Sequence, residues 1–293
     1  MSGRPTRVLV AGAGGTLGRL MAAELQRRVC EVRAIVRKKR SANERLSDDV
    51  REVQALAPGA WRGVCDDVDV VLSSLGASVA PTPFVGWRPY TRVDAPANLA
   101  LLEEATRARV RRFVYVSLIG GDTSRHLDYS EGHERVVDAL RASSLSAKVL
   151  RPTGFFAAMT AIVDFARRGP VPVIGDGHWP TNPVDERDLA ELAVAEALTE
   201  DPSYRETDIG GPETFTRREI AELAFAALGR RPRLLHVPAA VMRASGHALR
   251  VANPRAGHFV LFATHIMTHD CLATPRGERR LCDAFAEYVR PKT

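Results

Sequence analysis

The chain has 293 residues, of which 45% are hydrophobic and 26% are charged, and its formal net charge is +6. This length and composition exclude a largely disordered chain and predict a globular protein with a large core. Because the basic residues are scattered, apart from VRKKR at 36–40, we do not expect a nucleic-acid partner.

Short β-rich runs alternate with helical patterns in the first half of the chain, which is typical of a parallel sheet with helices on both faces. We expect strands within 7–12, 31–37, 67–76, 110–121 and 145–156. Apolar periodicity predicts helices within 16–28, 93–108 and 129–143. The predicted fold class is therefore α/β, with a doubly wound parallel sheet.

The second half is less regular. Helices are expected within 186–200 and 216–229, the latter opened by a capping box of Thr216 and Glu219, and the segments from Leu235 onward look helical. We predict a sheet domain at residues 1–151 and a smaller, mainly helical region at residues 152–293, partly interleaved with the sheet. This region should cover the carboxyl ends of the strands, where open α/β sheets bind ligands.

Glycines cluster between the first strand and the first helix, in VLVAGAGGTLGRL. Their spacing permits a tight turn and close approach of the backbone to a pyrophosphate, which the positive end of the helix then binds. The alternative is a glycine-rich turn that holds no ligand. We predict a dinucleotide site in this loop, with the cofactor-binding residues Gly12, Gly14, Gly15, Thr16, Leu17 and Gly18.

Basic residues follow the second strand, where a fold that prefers NAD normally carries Asp or Glu for the ribose hydroxyls. This chain has Arg37 and Lys38 there. A guanidinium binds phosphate oxygens in a bidentate fork, whereas a carboxylate repels them. The sequence therefore favours NADP (NADPH) over NAD, and the alternative is a solvated basic loop.

Seven segments, in order from residue 7 to about residue 229, resemble the extended or atypical short-chain dehydrogenase/reductase superfamily, and within it the NmrA-like NAD(P)-binding proteins. The segments are GAGGTLG, DVVLSSLGAS, VDAPANLALLEEA, RRFVYVSLIGG, LRASSLSAKVLRPTGFF, NPVDERDLAELA and DIGGPETFTRREIAELA. The resemblance implies a Rossmann-type fold, with the NAD(P)-binding domain at 1–151 and a substrate-binding region at 152–293.

The resemblance also implies a catalytic set, since the family uses Ser, Tyr and a Lys four residues after the Tyr. It assigns Ser117 to orient a substrate carbonyl and Tyr129 to donate the proton, whereas His133 stands at the lysine position. On a helix, residues four apart share a face. We also predict that Leu75, Gly76, Pro152 and Thr153 belong to the cofactor site.

Two interpretations of His133 remain open. In the first, the imidazole keeps the ribose contact of the lysine and supplies positive charge, or itself donates the proton. In the second, catalysis has been lost and the fold binds nucleotide without turning it over.

Two further positions depart from the family pattern. No acid occupies the place in VREVQALAPGAW where relatives contact the adenine amino group. Extended members carry an Asn in the fourth helix, where this chain has Asp94, and we interpret Asn98, one turn later, as a surface residue.

The loop GASVAPTPFVGWRPY follows the carboxyl end of a strand, and RPTGFFAAM begins a helix near the same edge. Their aromatic residues predict a mostly apolar pocket, with a wall or lid over the nicotinamide. The alternative places them in the core between the two regions. The substrate-binding candidates are Phe84, Trp87, Tyr90, Phe155 and Phe156.

We expect no metal site, because His258, His265 and His269 lack an HExxH pattern. The four cysteines form no CxxC pair, and the N-terminus leaves no room for a secretory signal, so we expect reduced thiols in the cytoplasm. No run is long enough for a transmembrane segment. A homodimer is suggested by the resemblance alone.

The predicted function is NADP-dependent hydride transfer between nicotinamide and a carbonyl or conjugated double bond of an apolar small molecule. One alternative is a non-catalytic NADP-sensing regulator or assembly scaffold of the NmrA type. The other is an epimerase or dehydratase that keeps its nucleotide bound.

Overall fold

The computed structural model describes residues 4–39, 46–76 and 87–290. Its first half alternates strands and helices as the pattern predicts. The elements are β1 (Arg7–Ala11), α1 (Thr16–Arg27), β2 (Glu31–Val36), β3 (Asp49–Glu52), β4 (Val70–Ser73), α2 (Asp94–Arg107), β5 (Arg112–Val116), α3 (Asp128–Ala142) and β6 (Ser146–Pro152).

The second half adds short strands and helices. Its elements are α4 (Phe156–Arg168), β7 (Val171–Ile174), β8 (Pro180–Thr181), α5 (Glu186–Leu198), β9 (Arg205–Ile209), β10 (Phe215–Thr216), α6 (Arg217–Ala227), β11 (Leu234–Val237), α7 (Ala239–Ala252), α8 (Pro254–Met267) and α9 (Leu281–Val289). The capping box at the start of α6 is confirmed, because Thr216 and Glu219 bond each other's backbone N–H groups.

The main sheet is parallel, with the strand order β3-β2-β1-β4-β5-β6-β9. This order confirms the predicted Rossmann-type doubly wound fold. The order reverses between β1 and β4, and ligands bind at such a switch point. Here the glycine loop follows β1 and Leu75 follows β4.

Both faces of the sheet are buried, because alternate residues of each strand point to opposite sides. Along β1, Val8 and Val10 pack with α1 and α5 in one core. Leu9 and Ala11 pack with α2 and α3 in the other. Strand β9 and helix α5 come from beyond residue 152, so the second half of the chain completes both the sheet and one helical layer.

A third core joins α4, α6, α9 and β7. Next to it, α7 and α8 form a closely packed hairpin, in which a Cβ atom on Gly257 would lie 2.4 Å from the backbone nitrogen of Arg250. Helix α8 also contacts α3, which carries Tyr129 and His133. Along the described residues, no helix has both the length and the hydropathy needed to cross a bilayer.

Candidate active site

The glycine loop between β1 and α1 is shaped by backbone contacts that exclude side chains. Gly12 has a φ of +83°, and a Cβ atom there would lie 2.9 Å from the carbonyl oxygen of Ser74. A Cβ atom on Gly18 would lie 2.2 Å from the carbonyl oxygen of Gly12. Only glycine fits these two positions, so the loop turns tightly and α1 packs directly against it.

The start of α1 offers an exposed helix N-terminus. Gly14, Gly15 and Thr16 are exposed, and Gly15 is the N-cap. Within the described part of the chain no side chain caps this end, and its first turn carries no acid. The N–H groups and the positive end of the helix dipole are therefore suited to an anion. The Leu17 side chain instead packs against the core below.

Arg37 and Lys38 are exposed and follow β2, the neighbour of β1 in the sheet. Gln54 donates a hydrogen bond to the Arg37 carbonyl at 3.0 Å, which fixes the backbone at the end of this strand. The neighbouring residue Val36 lies 3.7 Å from where a Cβ atom of Gly14 would be. The two basic side chains therefore emerge beside the glycine loop.

Asn98 holds the end of β4 against α2. It accepts a hydrogen bond from Ser73 Oγ at 2.7 Å and donates to the carbonyl oxygens of Leu75 and Asp94, both at 2.9 Å. The interpretation of Asn98 as a surface residue was wrong, because its side chain is fully buried. Leu75 and exposed Gly76 follow directly, at the edge where ligands bind in this fold.

Ser117 follows β5, and Pro152 ends the neighbouring strand β6 at the same edge. The Ser117 Oγ is buried and has no hydrogen-bond partner within the part of the chain that the structure describes. The Pro152 carbonyl accepts from the Ile119 N–H at 3.1 Å, and Thr153 Oγ1 donates to the Asn182 carbonyl at 2.7 Å. Ser117 is therefore the residue here whose side chain is left for a ligand.

Tyr129 lies in the first turn of α3 and is half-buried among other rings. Its ring centroid is 4.9 Å from that of Tyr90, 4.8 Å from that of His133 and 4.5 Å from that of Phe262. Burial raises the pKa of its phenol, and the negative charge of Asp94 raises it further. Tyr129 therefore keeps its proton near neutral pH, as a proton donor must.

His133 is 6% exposed and lies one turn after Tyr129 on α3. Its Nδ1 is 2.7 Å from the hydroxyl of Tyr115, whereas its buried Nε2 has no hydrogen-bond partner among the described residues. Burial, together with the charge of Arg151, lowers the pKa of His133 to about 4. The imidazole is therefore neutral near pH 7, which argues against the interpretation that it supplies positive charge.

Asp94, which departs from the family pattern, is a buried acid. It opens α2 and is 1% exposed. Its Oδ2 lies 3.8 Å from where a Cβ atom of Gly76 would be, and its charge acts on the phenol of Tyr129. Asp94 therefore sits between the end of β4 and the tyrosine.

The predicted substrate residues fall into different environments. Tyr90 is buried against Tyr129, whereas Trp87 is 67% exposed. Phe155 is partly buried, and Phe156 belongs to the third core with 3% exposure, as the core-packing alternative for it expects. Phe84 lies outside the described residues.

Helix α8 supplies contacts that the sequence did not predict. Phe262 packs on the Tyr129 ring, and Arg255 donates a hydrogen bond to the Arg88 carbonyl at 2.9 Å while lying over the Tyr90 ring. The sequence feature that marks this helix is the apolar run GHFVLFATHIM at residues 257–267, which matches no family pattern. The side chains that line one side of Tyr129 thus come from the C-terminal region, whereas the glycine loop lies near the N-terminus.

A buried ion-pair network fixes α3 on the sheet. Arg151 on β6 donates to Glu134 at 2.6 and 3.1 Å, and to Glu206 on β9 at 2.9 and 2.8 Å. Glu134 is the residue after His133, and its side chain is buried. The network therefore sets where the face carrying Tyr129 and His133 lies.

No group of three or more His, Cys, Asp or Glu side chains is arranged to hold a metal ion within residues 4–39, 46–76 and 87–290. His265 and His269 stack, with ring centroids 4.0 Å apart, and His126 packs edge-on against His265 at 5.6 Å. Burial lowers the pKa of His265 to about 4, and the charges of its two histidine neighbours add to this effect.

The low pKa of His133 predicts acid sensitivity. Between about pH 6.5 and 4, His133 is protonated in the unfolded chain but stays neutral in the folded protein. The free energy of unfolding therefore decreases as the pH falls through this window. The full effect is on the order of 3 kcal/mol. His133→Gln should flatten the dependence of the unfolding free energy on pH, measured by urea denaturation across this window.

His265 contributes to the pH dependence in the same direction in the wild type and in His133→Gln. The difference between the two proteins therefore measures the contribution of His133. An identical slope in wild type and His133→Gln would mean that the folded protein protonates His133 as readily as the unfolded chain does.

A family model described as NAD(P)H-binding matches residues 12–201. Among curated proteins, divinyl chlorophyllide a 8-vinyl-reductase, chloroplastic, of Zea mays is 32% identical over 261 residues, which cover 82% of this chain and 63% of that protein. The match thus spans less than two thirds of the length of this relative. The photosystem II assembly factor Ycf39 of Guillardia theta is 24% identical over 79% of this chain and 73% of that protein.

Among solved structures, the NADPH-dependent quinone oxidoreductase QOR2 of Escherichia coli, complexed with NADPH, superposes with a TM-score of 0.74. The match covers 97% of this chain and 100% of that one at 19% identity. At this identity the likeness establishes the shared fold.

Proposed function

Because the chain belongs to the NAD(P)H-binding family of atypical, NmrA-like short-chain dehydrogenases/reductases, we propose that it is an NADPH-dependent reductase of an apolar small molecule. The reduced group is a carbonyl or a conjugated double bond. The observation that carries the proposal is the position of Tyr129 on α3. Its ring packs against His133, and His133 is hydrogen-bonded to Tyr115 of β5, a strand of the sheet whose glycine loop admits no side chain.

The residues present fit a dinucleotide. The cradle formed by Gly12 and Gly18 would be filled by any Cβ atom, and the uncapped start of α1 suits a pyrophosphate. Arg37 and Lys38 suit a 2′-phosphate, and Leu75, Gly76, Pro152 and Thr153 line the same strand edge. When bound, NADPH supplies a hydride.

Tyr129 donates its proton to the atom that becomes negative as the substrate is reduced. A phenol whose pKa is raised keeps its proton, which suits reduction; the reverse reaction needs the phenolate. Where the substrate is a carbonyl compound, Ser117 Oγ, which has no partner among the described residues, hydrogen-bonds the carbonyl oxygen.

His133 acts through its position in this mechanism. Its neutral ring packs edge-on against Tyr129 and is held by the Tyr115 hydroxyl. When that hydroxyl donates to Nδ1, Nε2 carries the ring proton and offers a buried donor to a bound group such as a ribose hydroxyl. The ribose contact of the family's lysine is thus kept without its charge.

The substrate we propose to assay first is divinyl chlorophyllide a, which the maize relative reduces according to its name. A vinyl group conjugated with an aromatic macrocycle is the kind of double bond that hydride and proton addition reduces. The rings of Tyr90 and Phe262 against Tyr129 suit an apolar, planar molecule.

The cofactor choice is tested by calorimetric titration with NADPH and NADH. We expect NADPH to bind more tightly, and Arg37→Ser to weaken NADPH binding by about 10- to 100-fold, because a charge-assisted hydrogen bond is lost. NADH binding should change little. The control is Arg62→Ser, which removes an exposed arginine far along the chain from the loop. Equal affinity of the wild type for both nucleotides would contradict the proposal.

A non-catalytic NADP-binding scaffold is the second candidate. It is favoured by one observation, the neutral His133 where the family has a charged lysine, and by the name of the Guillardia theta relative, an assembly factor. A scaffold binds NADPH but oxidises none with any substrate.

The proposed compartment is the cytoplasm, where the four free cysteines would stay reduced. The proposed assembly is a homodimer.

A further inference from the structure

Helix α7 turns an apolar face toward solvent. Val241, Ala244, Ala248 and Val251, which we call the α7 outer face, recur at helical spacing and are all exposed. Val241 is 56% exposed and Val251 is 89% exposed. The opposite side of the helix, around Gly246, packs on α8. An amphipathic helix normally buries its apolar side, whereas α7 exposes this apolar face to solvent.

The segment around this helix is strongly basic. Residues 223–269 contain six arginines and none of the 35 acidic residues of the chain. Arg243 and Arg250 lie on α7 itself and are exposed, on the flank between the α7 outer face and the side that packs on α8. The surface that α7 presents is therefore apolar in the middle and positively charged at its edge.

We propose that the α7–α8 hairpin docks on the surface of an anionic lipid bilayer through the α7 outer face. An apolar helix face enters the boundary between headgroups and acyl chains, while arginines beside it bind lipid phosphates. The outer face is a convex row of Val and Ala without an aromatic or arginine anchor at its centre, unlike the hot spots of protein interfaces. A fluid bilayer needs no matching pocket.

Docking there would place the active-site tyrosine close to the membrane. Helix α8, which packs against α7, also contacts α3, and its Phe262 touches the Tyr129 ring. Apolar substrates concentrate in membranes, so the hairpin would deliver them to the site. This last step rests on the proposed function; the docking does not, and its assay requires no turnover.

The test is co-sedimentation of the full-length protein with vesicles at low ionic strength. Vesicles of equal parts phosphatidylglycerol and phosphatidylcholine should bind the protein, whereas vesicles of phosphatidylcholine alone should bind little. Because exposed charges are screened, binding should weaken as salt is added. Equal binding to both vesicle types would overturn the proposal.

Two variants assign the binding to α7. Val251→Glu should abolish sedimentation, and its control is Val29→Glu, at another strongly exposed valine. Arg243→Ser with Arg250→Ser should weaken binding by roughly 30-fold, since each arginine near the surface contributes about fivefold. Its control is Arg62→Ser with Arg109→Ser, which removes the same charge from exposed positions outside residues 223–269.

Wild-type binding by Val251→Glu would overturn the assignment to α7. Light scattering covers the other occupant of this face. The proposal would be overturned if no vesicle sedimented the protein and if the protein were a dimer that Val251→Glu dissociates. That result would show that a second copy of the chain covers α7.

Discussion

Replacing Tyr129 by Phe should lower kcat for NADPH-dependent reduction of divinyl chlorophyllide a by about 10²- to 10⁴-fold, the usual contribution of a positioned general acid. The ring contacts with Tyr90, His133 and Phe262 need no hydroxyl, so the fold should be kept. Affinity for NADPH should stay within about twofold, because the loss concerns the transition state. Steady-state kinetics and calorimetric titration measure the two effects separately.

The matched control is Tyr288→Phe. It removes a phenol that bonds Asp164 on the outside of the C-terminal region, and it should leave kcat unchanged. If Tyr129→Phe retained full turnover, the proton would come from elsewhere. If the wild type bound NADPH but reduced neither this substrate nor other enones and ketones, the scaffold function would replace the reductase.

The framework of the fold was predictable because it depends on local patterns. The buried runs of β1, β2, β4, β5 and β6 and the helices between them follow hydrophobic periodicity, and the glycine spacing located the loop. The resemblance to NmrA-like short-chain dehydrogenases/reductases is confirmed by the family match. The strand order then follows from the fold that the resemblance implies.

The wall of the site was not predictable in the same way. Phe262 reaches Tyr129 from 133 positions further along the chain, and this contact depends on the packing of the α7–α8 hairpin. Two aromatic neighbours in sequence, Phe155 and Phe156, lie in different cores because consecutive side chains point in different directions. Sequence identifies such residues as apolar without saying which surface they cover.

The roles of buried polar residues depend on contacts that are distant in the sequence. The sequence predicts a surface position for Asn98, yet three hydrogen bonds hold it inside. The charge state of His133 depends on burial and on Arg151, which a spacing of four residues does not reveal. The tertiary surroundings of a titratable group set its pKa, so the chemistry of this site required the structure.

Glu134→Gln should destabilise the protein by about 3 kcal/mol. The substitution leaves the Arg151 guanidinium buried with one carboxylate partner fewer, and losing one partner of a buried ion pair usually costs about 3–5 kcal/mol. Glu206 still pairs with Arg151, so the lower end of this range is expected. Chemical denaturation near neutral pH measures the change in unfolding free energy.

Glu131→Gln is the control on the same helix. Glu131 pairs with Arg135 at 2.8 Å, but the arginine is exposed, and such surface pairs contribute less than about 1 kcal/mol. If Glu134→Gln cost no more than Glu131→Gln, the buried network would not be what fixes α3 on the sheet.

Salt and kinetics then separate the two roles of Glu134. Added salt should shrink the effect of Glu131→Gln and leave that of Glu134→Gln nearly unchanged, because buried charges are poorly screened. Since α3 carries both Tyr129 and His133, a loosened helix should also lower kcat more than it weakens NADPH binding, whose proposed contacts lie mainly on the glycine loop. A loss of stability with unchanged kcat would show that the network stabilises the fold but does not position Tyr129 for catalysis.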